Sequence, residues 1–465
     1  MWMNELHNPP VHMRNVNENL VVSFMPLKER RMKTRQFLIA LLLIVAMFAT
    51  ACAPAAAPTQ APQAGGEPSG KIVFAYPGEE TEQVMRPIIV QMFKEKHPNI
   101  TVEEQPVPGD YDTTVLAQIA AGNPPDVFVS GDVFVAPFIK DGVAADLTPF
   151  FESDPDLKEE DFYPAVIDFF RGPNGHVYMM PDTLDVQRVY FNKDLFDKAG
   201  VPYPAAGWTI EDFKNAAAAI TSGEGPDKTY GFFADPWWGV WLPYVWMNGG
   251  DIISKDGTQC TLTEPAAVEA LDWYGDFIRQ GYSPSTQELE GLGMGGWDLF
   301  ITGRVGMYQT GGWDIPANEA EAEFEWGMAP LPKGKSEATF LHLTNYVMAA
   351  NSKNKEAAWE FLKFLASPEV YNLEAAVYGW GVPPRPSITD AFIANPPENA
   401  TPVNIENVKI GQASAPNGRL PTKILNWDEF TGDGVDVGLE PYWNGEISAE
   451  EAAQAACAVP PQPAE

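Results

Sequence analysis

"KIVFAYPGEETEQVMRPIIVQMFKEKHPNITVEEQPVPGDYDTTVLAQIAAGNPPDVFVS", residues 71–130, decides the fold. KIVFAY (71–76) is a short apolar run, and the PGEE after it is a turn, the pattern of a buried strand. EQVMRPIIVQMFKEKH (82–97) carries Val84, Ile88, Met92 and Phe93 at helical spacing, with a kink expected at Pro87. ITVEEQPV reads as a strand, DYDTTVLAQIAAG as a helix and PPDVFVS as another apolar strand. A βαβαβ start predicts a parallel sheet with helices on its faces, so the fold class is α/β.

The alternation resumes downstream. VYFNKDLFDKAG (189–200) leads to WTIEDFKNAAAAITSG, a helix with Thr209 as N-cap. KTYGFFA is a strand. PAAVEALDWYGDFIRQG (265–281) is a helix with Pro265 in its first turn and Gly281 at its end. EAAWEFLKFLAS (356–367) is another helix.

A chain of 465 residues has room for two or three domains. Hydrophobic residues make up 45% and charged residues 20%, a globular composition. The formal net charge of −33 argues against nucleic acid or an anionic membrane surface as partner, because both need clustered Lys and Arg. Three cysteines and five histidines are a poor stock for a metal site, and no cofactor is expected.

MKTRQFLIALLLIVAMFATAC (32–52) has a positive start in Lys33 and Arg35, and an apolar run at Phe37–Phe48. Twelve helical residues reach about 18 Å, short of a ~30 Å hydrocarbon core, so 32–51 reads as an export signal. The ending Ala49-Thr50-Ala51-Cys52 resembles the lipobox of bacterial lipoproteins. That resemblance implies a lipidated Cys52 as the first mature residue and an anchor on the outer face of the cell membrane. Residues 1–31 would keep the positive start from being N-terminal and read as a non-native extension. The stretch 52–70, APAAAPTQAPQAGGEPSG after the cysteine, has no branched or aromatic apolar residue and reads as a flexible tether. If Cys52 is lipidated, Cys260 and Cys457 remain as a pair for a disulfide in an oxidising compartment, with free buried cysteines as the alternative.

GLGMGG (291–296) fits the dinucleotide spacing G-x-G-x-x-G, but the polar STQELE before it is no buried strand, so it reads as a turn. No H-E-x-x-H, G-x-S-x-G or Cys-x-x-Cys occurs. ADPWWGVWLPYVWMNGG (234–250) holds four tryptophans. Trp238, Trp241, Leu242, Val245 and Trp246 share one helical face and read as core. Trp237 lies off that face, after Asp235 as N-cap and Pro236 as first helical residue. It follows the strand KTYGFFA, at the carboxyl end where ligands bind in open α/β sheets. A pyranose presents an apolar C–H face and polar edges, so an Asp beside a Trp offers both partners it needs.

Several segments, in order, resemble the sugar-binding group of extracellular solute-binding proteins of ABC importers. FKEKHPNITVE, LAQIAAGNPPDVFVS, RVYFNKDLFDKAG followed by GWTIEDF, DLFITGRVGMYQTGGW, and APLPKG followed by NSKNKEAAWEFLKFLAS carry the likeness over roughly 71–457. The resemblance implies two α/β lobes with an interlobe ligand cleft and hinge. Lobe 1 would be 71–184 and 331–378, and lobe 2 would be 189–326 and 385–457. Hinge segments would fall near 185–189, 327–330 and 378–384. It further implies high-affinity binding of a mono- or oligosaccharide without catalysis, by ligand-induced lobe closure, and delivery to the transmembrane subunits of an ABC permease by a monomer. Contacts expected at cleft-facing strand ends are Glu79, Ser130, Asp132, Asp185, Asp235, Trp237, Trp313, Trp380 and Trp427. The alternatives are a binding protein for a polyamine or peptide, which the acid excess fits equally, and an exported carbohydrate-active enzyme.

Overall fold

The computed structural model describes residues 68–464. The extension at 1–31, the signal at 32–51, Cys52 and the tether up to residue 67 lie outside the described residues. Among the described residues ten strands form two sheets: β1 (Gly70–Pro77), β2 (Ile100–Val107), β3 (Val127–Gly131), β4 (Met179–Val186), β5 (Arg188–Asn192), β6 (Tyr230–Phe233), β7 (Val305–Thr310), β8 (Trp326–Pro330), β9 (Thr339–Met348) and β10 (Gly418–Arg419). The first sheet runs β2–β1–β3–β9, with β4 and β10 also paired to β9. β1 is parallel to both β2 and β3, as the βαβαβ pattern requires, and β9 returns antiparallel to β3. The second sheet runs β6–β7–β5–β8. Each sheet has its own apolar core, with Phe74, Phe128 and Phe361 in the first, and Phe213, Trp241 and Phe277 in the second.

The helix Glu80–Lys96 continues through Pro87, but its buried face is not the expected one. Val84 is 53% and Ile88 42% exposed, while Glu82, Met85, Arg86, Ile89 and Phe93 are buried. Two charged residues point inward because Arg86 meets three carboxylates there, and apolar spacing carries no trace of that. In the helix Trp238–Met247 every residue is buried, including Pro243. A helix apolar on all sides needs no single inward face. It is capped by Trp237 rather than Asp235, because the Asp235 carboxylate accepts the Trp237 amide at 2.8 Å and forms a turn ahead of the helix. GLGMGG bridges two helices: Thr286–Leu292 ends on left-handed Gly293, and Gly296–Ile301 follows.

The chain passes between the cores at places the sequence locates only in part. Val186 belongs to the first core and Val189 to the second, so the first passage is at Gln187–Arg188. Residues 327–330, expected as a hinge, are strand β8, paired along its length with β5. The second passage falls inside β9, where Phe340 packs in the second core and Leu341 in the first. The helices Pro386–Ala394 and Pro402–Ser414, expected in lobe 2, instead place Ile388 and Ile410 in the first core. The chain rejoins the second core from Ile424 onward, and Cys260 is disulfide-bonded to Cys457 with a Cα–Cα distance of 5.5 Å.

Candidate functional site

The two neighbouring passages set the floor of the site. β4 and β9 pair antiparallel with Asp185 opposite His342. Gln187 donates its amide N–H to Thr339 Oγ1 at 3.1 Å, and its side-chain nitrogen lies 2.8 Å from His342 Nε2. Asp185 bonds the Arg188 guanidinium, accepts the Val186 amide at 2.8 Å and accepts the Gly312 amide at 2.6 Å. The expected ligand carboxylate is therefore turned inward: Asp185 clamps the first passage to the turn after β7. Burial, and then the Arg188 cation, push the His342 pKa down to about 3, so its ring is neutral at ordinary pH.

Aromatic rings surround that neutral imidazole. Trp237 stacks on it with centroids 5.6 Å apart, Trp313 meets it edge-on at 4.9 Å, and Phe340 lies 4.4 Å away. The local sequence allows this closeness. A Cβ on Gly311 would lie 2.0 Å from the Trp313 ring, and one on Gly312 would lie 2.8 Å from the Arg188 guanidinium. "GGW" is thus the only way to lay Trp313 back over its own turn beside a buried arginine. Trp237 and Trp313 are both half-buried.

Four carboxylates join the rings. Asp132 stands at the end of β3, and burial raises its pKa to about 7 although the Leu343 and Val133 amides hold it down in part. Asp235 rises to about 6 through burial, offset by the Trp237 amide. Asp314 rises to about 6 through burial, with Thr310 and Tyr308 bonding it and the charges of Asp185 and Asp235 adding to the rise. Asp436 rises to about 6 through burial and the charge of Asp235. All four keep an open edge, being only half-buried. Such groups are acceptors fixed in direction, beside apolar ring faces, and they suit a ligand with many hydroxyl donors.

Of the residues expected from sequence, Asp132, Asp235, Trp237 and Trp313 come together, and Asp185 sits beneath them. Ser130 is buried and donates to the Gly131 carbonyl at 3.3 Å. Glu79 is exposed ahead of the helix Glu80–Lys96. Trp380 packs against the first core and Trp427 against Trp238, with centroids 4.9 Å apart. Sequence reasoning missed His342, Asp314 and Asp436. Asp314 was within reach, since it directly follows Trp313, closer in sequence than Asp235 is to Trp237. His342 gave no signal, being one histidine in an apolar strand. Asp436 lies in wide helical turns, Glu429–Asp436, that no apolar period describes.

A family model described as bacterial extracellular solute-binding protein matches residues 77–372. The chain is 29% identical over 265 residues to the diacetylchitobiose binding protein of Streptomyces coelicolor, covering 55% of this chain and 59% of that one. Among solved structures it resembles an ABC substrate-binding protein of Listeria monocytogenes in complex with cycloalternan, with TM-score 0.74, 27% identity, and coverage of 83% of this chain and 97% of that one. It also resembles the GacH receptor of Streptomyces glaucescens, solved unliganded and with acarbose, with TM-score 0.69, 25% identity, and coverage of 84% and 97%.

Proposed function

The chain belongs to the bacterial extracellular solute-binding proteins, and on that premise we propose that it binds a carbohydrate between its two cores and delivers it to an ABC-type permease. One observation carries the reading. Two half-buried tryptophans and four half-buried carboxylates, none with an ion-pair partner among the described residues, converge on the strand that passes between the cores. The first core supplies Asp132, and the second supplies Asp235, Trp237, Trp313, Asp314 and Asp436. A ligand touching both sides is held best when they close, so it shifts an open–closed equilibrium about Gln187 and Phe340–Leu341. The relatives that bind cycloalternan, acarbose and diacetylchitobiose support a saccharide ligand. The family's extracellular setting supports export, and the small-small-small-Cys ending supports a lipid anchor at Cys52 and a monomer tethered to the membrane.

Binding needs no bond to be broken, so the site acts as a receptor and not an enzyme. A thermal-shift screen tests this with maltose to maltohexaose, chitobiose, cycloalternan and acarbose, run beside putrescine and a tripeptide, with chromatography of each saccharide after incubation. A saccharide that stabilises the protein and is recovered intact is the expected result. Stabilisation by putrescine or the peptide alone would replace the substrate class, and conversion of a saccharide would make the protein an enzyme.

A further inference from the structure

One residue of the first passage reaches both ends of the second. Gln187 is fully buried. Its amide N–H donates to Thr339 Oγ1 at 3.1 Å, and its side-chain nitrogen lies 2.8 Å from His342 Nε2. Thr339 and His342 flank Phe340–Leu341, where β9 changes core. An amide nitrogen only donates, so His342 Nε2 accepts, and the neutral imidazole has the lone pair for it.

The His342 side chain itself crosses between the cores. Its backbone is paired with Asp185 in the first sheet. Its ring lies against Trp237 and Phe340, which pack in the second core, and against Trp313, which follows β7 of the second sheet. Two of these contacts depend on the plane of the imidazole in different ways. Trp237 is near parallel to it, at 27°, and Trp313 is near perpendicular, at 88°. Turning the ring about its Cβ–Cγ bond would break both arrangements. That torsion is a soft one, so it takes a hydrogen bond at the far edge of the ring to hold one angle.

We propose that Gln187 and His342 form a positioning pair: the hinge glutamine fixes the plane of the imidazole, and the imidazole holds Trp237 and Trp313 in the orientation that takes the ligand. Gln187 is buried and touches no ligand, so it acts only through the ring it orients. A change of hinge angle at Gln187 therefore reaches both tryptophans. The role in binding rests on the carbohydrate reading above; the pairing itself needs no ligand.

Gln187→Leu and Gln187→Met keep the bulk and remove the donor, and His342→Phe keeps the ring and removes the acceptor. Each is made alone, and each Gln187 variant is also made in the His342→Phe chain, with circular dichroism to select those that fold. The first measurement is on the ligand-free chain, by NMR of the indole N–H signals of Trp237 and Trp313, assigned with Trp237→Phe and Trp313→Phe. Both signals should shift when Gln187 is replaced in the wild-type chain and stay in place when it is replaced in the His342→Phe chain. The second is calorimetric titration with maltotriose, chitobiose, cycloalternan and acarbose. Affinity for those that bind should fall at least tenfold on replacing Gln187, and less than twofold further in the His342→Phe chain. Indole signals that do not move, or an equal further loss in the His342→Phe chain, overturn the pair. Shifted signals with unchanged affinity overturn its part in binding. If the signals shift as expected and none of the four saccharides binds the wild-type chain, the pair stands and the carbohydrate reading falls.

Discussion

At the residue scale, two tryptophans of one segment have different work. Trp241 is fully buried and donates its indole N–H to the Pro236 carbonyl at 2.9 Å. Trp237, four residues earlier, is half-buried and lies on His342. Trp237→Ala should weaken saccharide binding at least tenfold and cost only about 1 kcal/mol of stability, the scale of a lost aromatic pair. Trp241→Ala should cost about 3–5 kcal/mol and leave the site chemistry in place. Calorimetric titration and denaturant melts of both variants decide it; a Trp237→Ala protein that binds normally but melts early would make the whole cluster core. The place of Trp237, ahead of the helix and just after the strand KTYGFFA, was legible in the sequence, although the apolar stripe expected of its neighbours is not there, since every residue of that helix is buried. The partner ring was not, because His342 comes from a strand more than a hundred residues away.

The carboxylates yield a second prediction at the same scale. With folded pKa values of about 7 for Asp132 and about 6 for Asp235, Asp314 and Asp436, they hold protons at pH 5 and lose them by pH 8. A hydroxyl donor favours the ionised form, so saccharide affinity should increase from pH 5 to 8, with proton release on binding below pH 7. The ligand-free protein responds in the opposite sense. A carboxyl whose folded pKa is raised contributes stability below its unfolded value, near 3.8, and loses it as pH rises through the folded value. Asp132→Asn should therefore flatten the decline in ligand-free stability between pH 5 and 8. Melts of wild type and variant at pH 5, 6, 7 and 8 check it, and parallel curves would refute the assignment.

At the element scale, the helix Glu80–Lys96 shows where apolar periodicity misleads. Its inner face holds Arg86, which meets Glu82 at 2.5 Å, Glu374 at 2.9 Å and Asp182 at 3.2 Å, with the Tyr346 hydroxyl at 2.6 Å. All four charged groups are buried, and three carboxylates face one guanidinium. Burial first, and then the charge of Asp182, raise the Glu374 pKa well above the ordinary range, and burial likewise raises Glu82. The cluster joins this helix to β4, β9 and the helix Pro368–Val377, so it sets the angle at which those elements meet. Removing the cation leaves buried acids uncompensated, so Arg86→Ala should cost about 3–5 kcal/mol. Glu374→Gln keeps the shape and removes a charge in excess. It should leave stability unchanged at pH 5 and raise the melting temperature at pH 8. A Glu374→Gln protein less stable than wild type at pH 8 would show that the third carboxylate is needed in its charged form.

At the scale of the whole molecule, the sequence carried the two alternating α/β series but not every boundary between them. The first passage was placed by the resemblance, which implied a hinge near 185–189, and it falls at Gln187–Arg188, between β4 and β5. The helices Pro386–Ala394 and Pro402–Ser414 were misplaced because an apolar face such as Ile388 and Phe392 suits either core equally. What decides is β4: Val382 bridges to Leu184 and pins the segment to the first sheet. The chain therefore leaves the second core at β9 and comes back only near Ile424, after building a large part of the first. The last helix, Ala449–Ala456, packs its alanines into the second core, and the disulfide fastens its end to Cys260 across 197 residues. A crosslink over so long a loop removes much of the freedom of the unfolded chain, about 5 kcal/mol in the chain-entropy account. The Cys457→Ser protein, or the wild type held in dithiothreitol, should melt well below the oxidised protein. Its saccharide affinity at 25 °C should change less than twofold, because neither cysteine touches the rings or carboxylates of the site. Equal melting of the oxidised and reduced proteins would show that alanine packing alone secures the last helix. A large loss of affinity at a temperature where the reduced protein is still folded would show that the bond sets the position of the wide turns carrying Asp436.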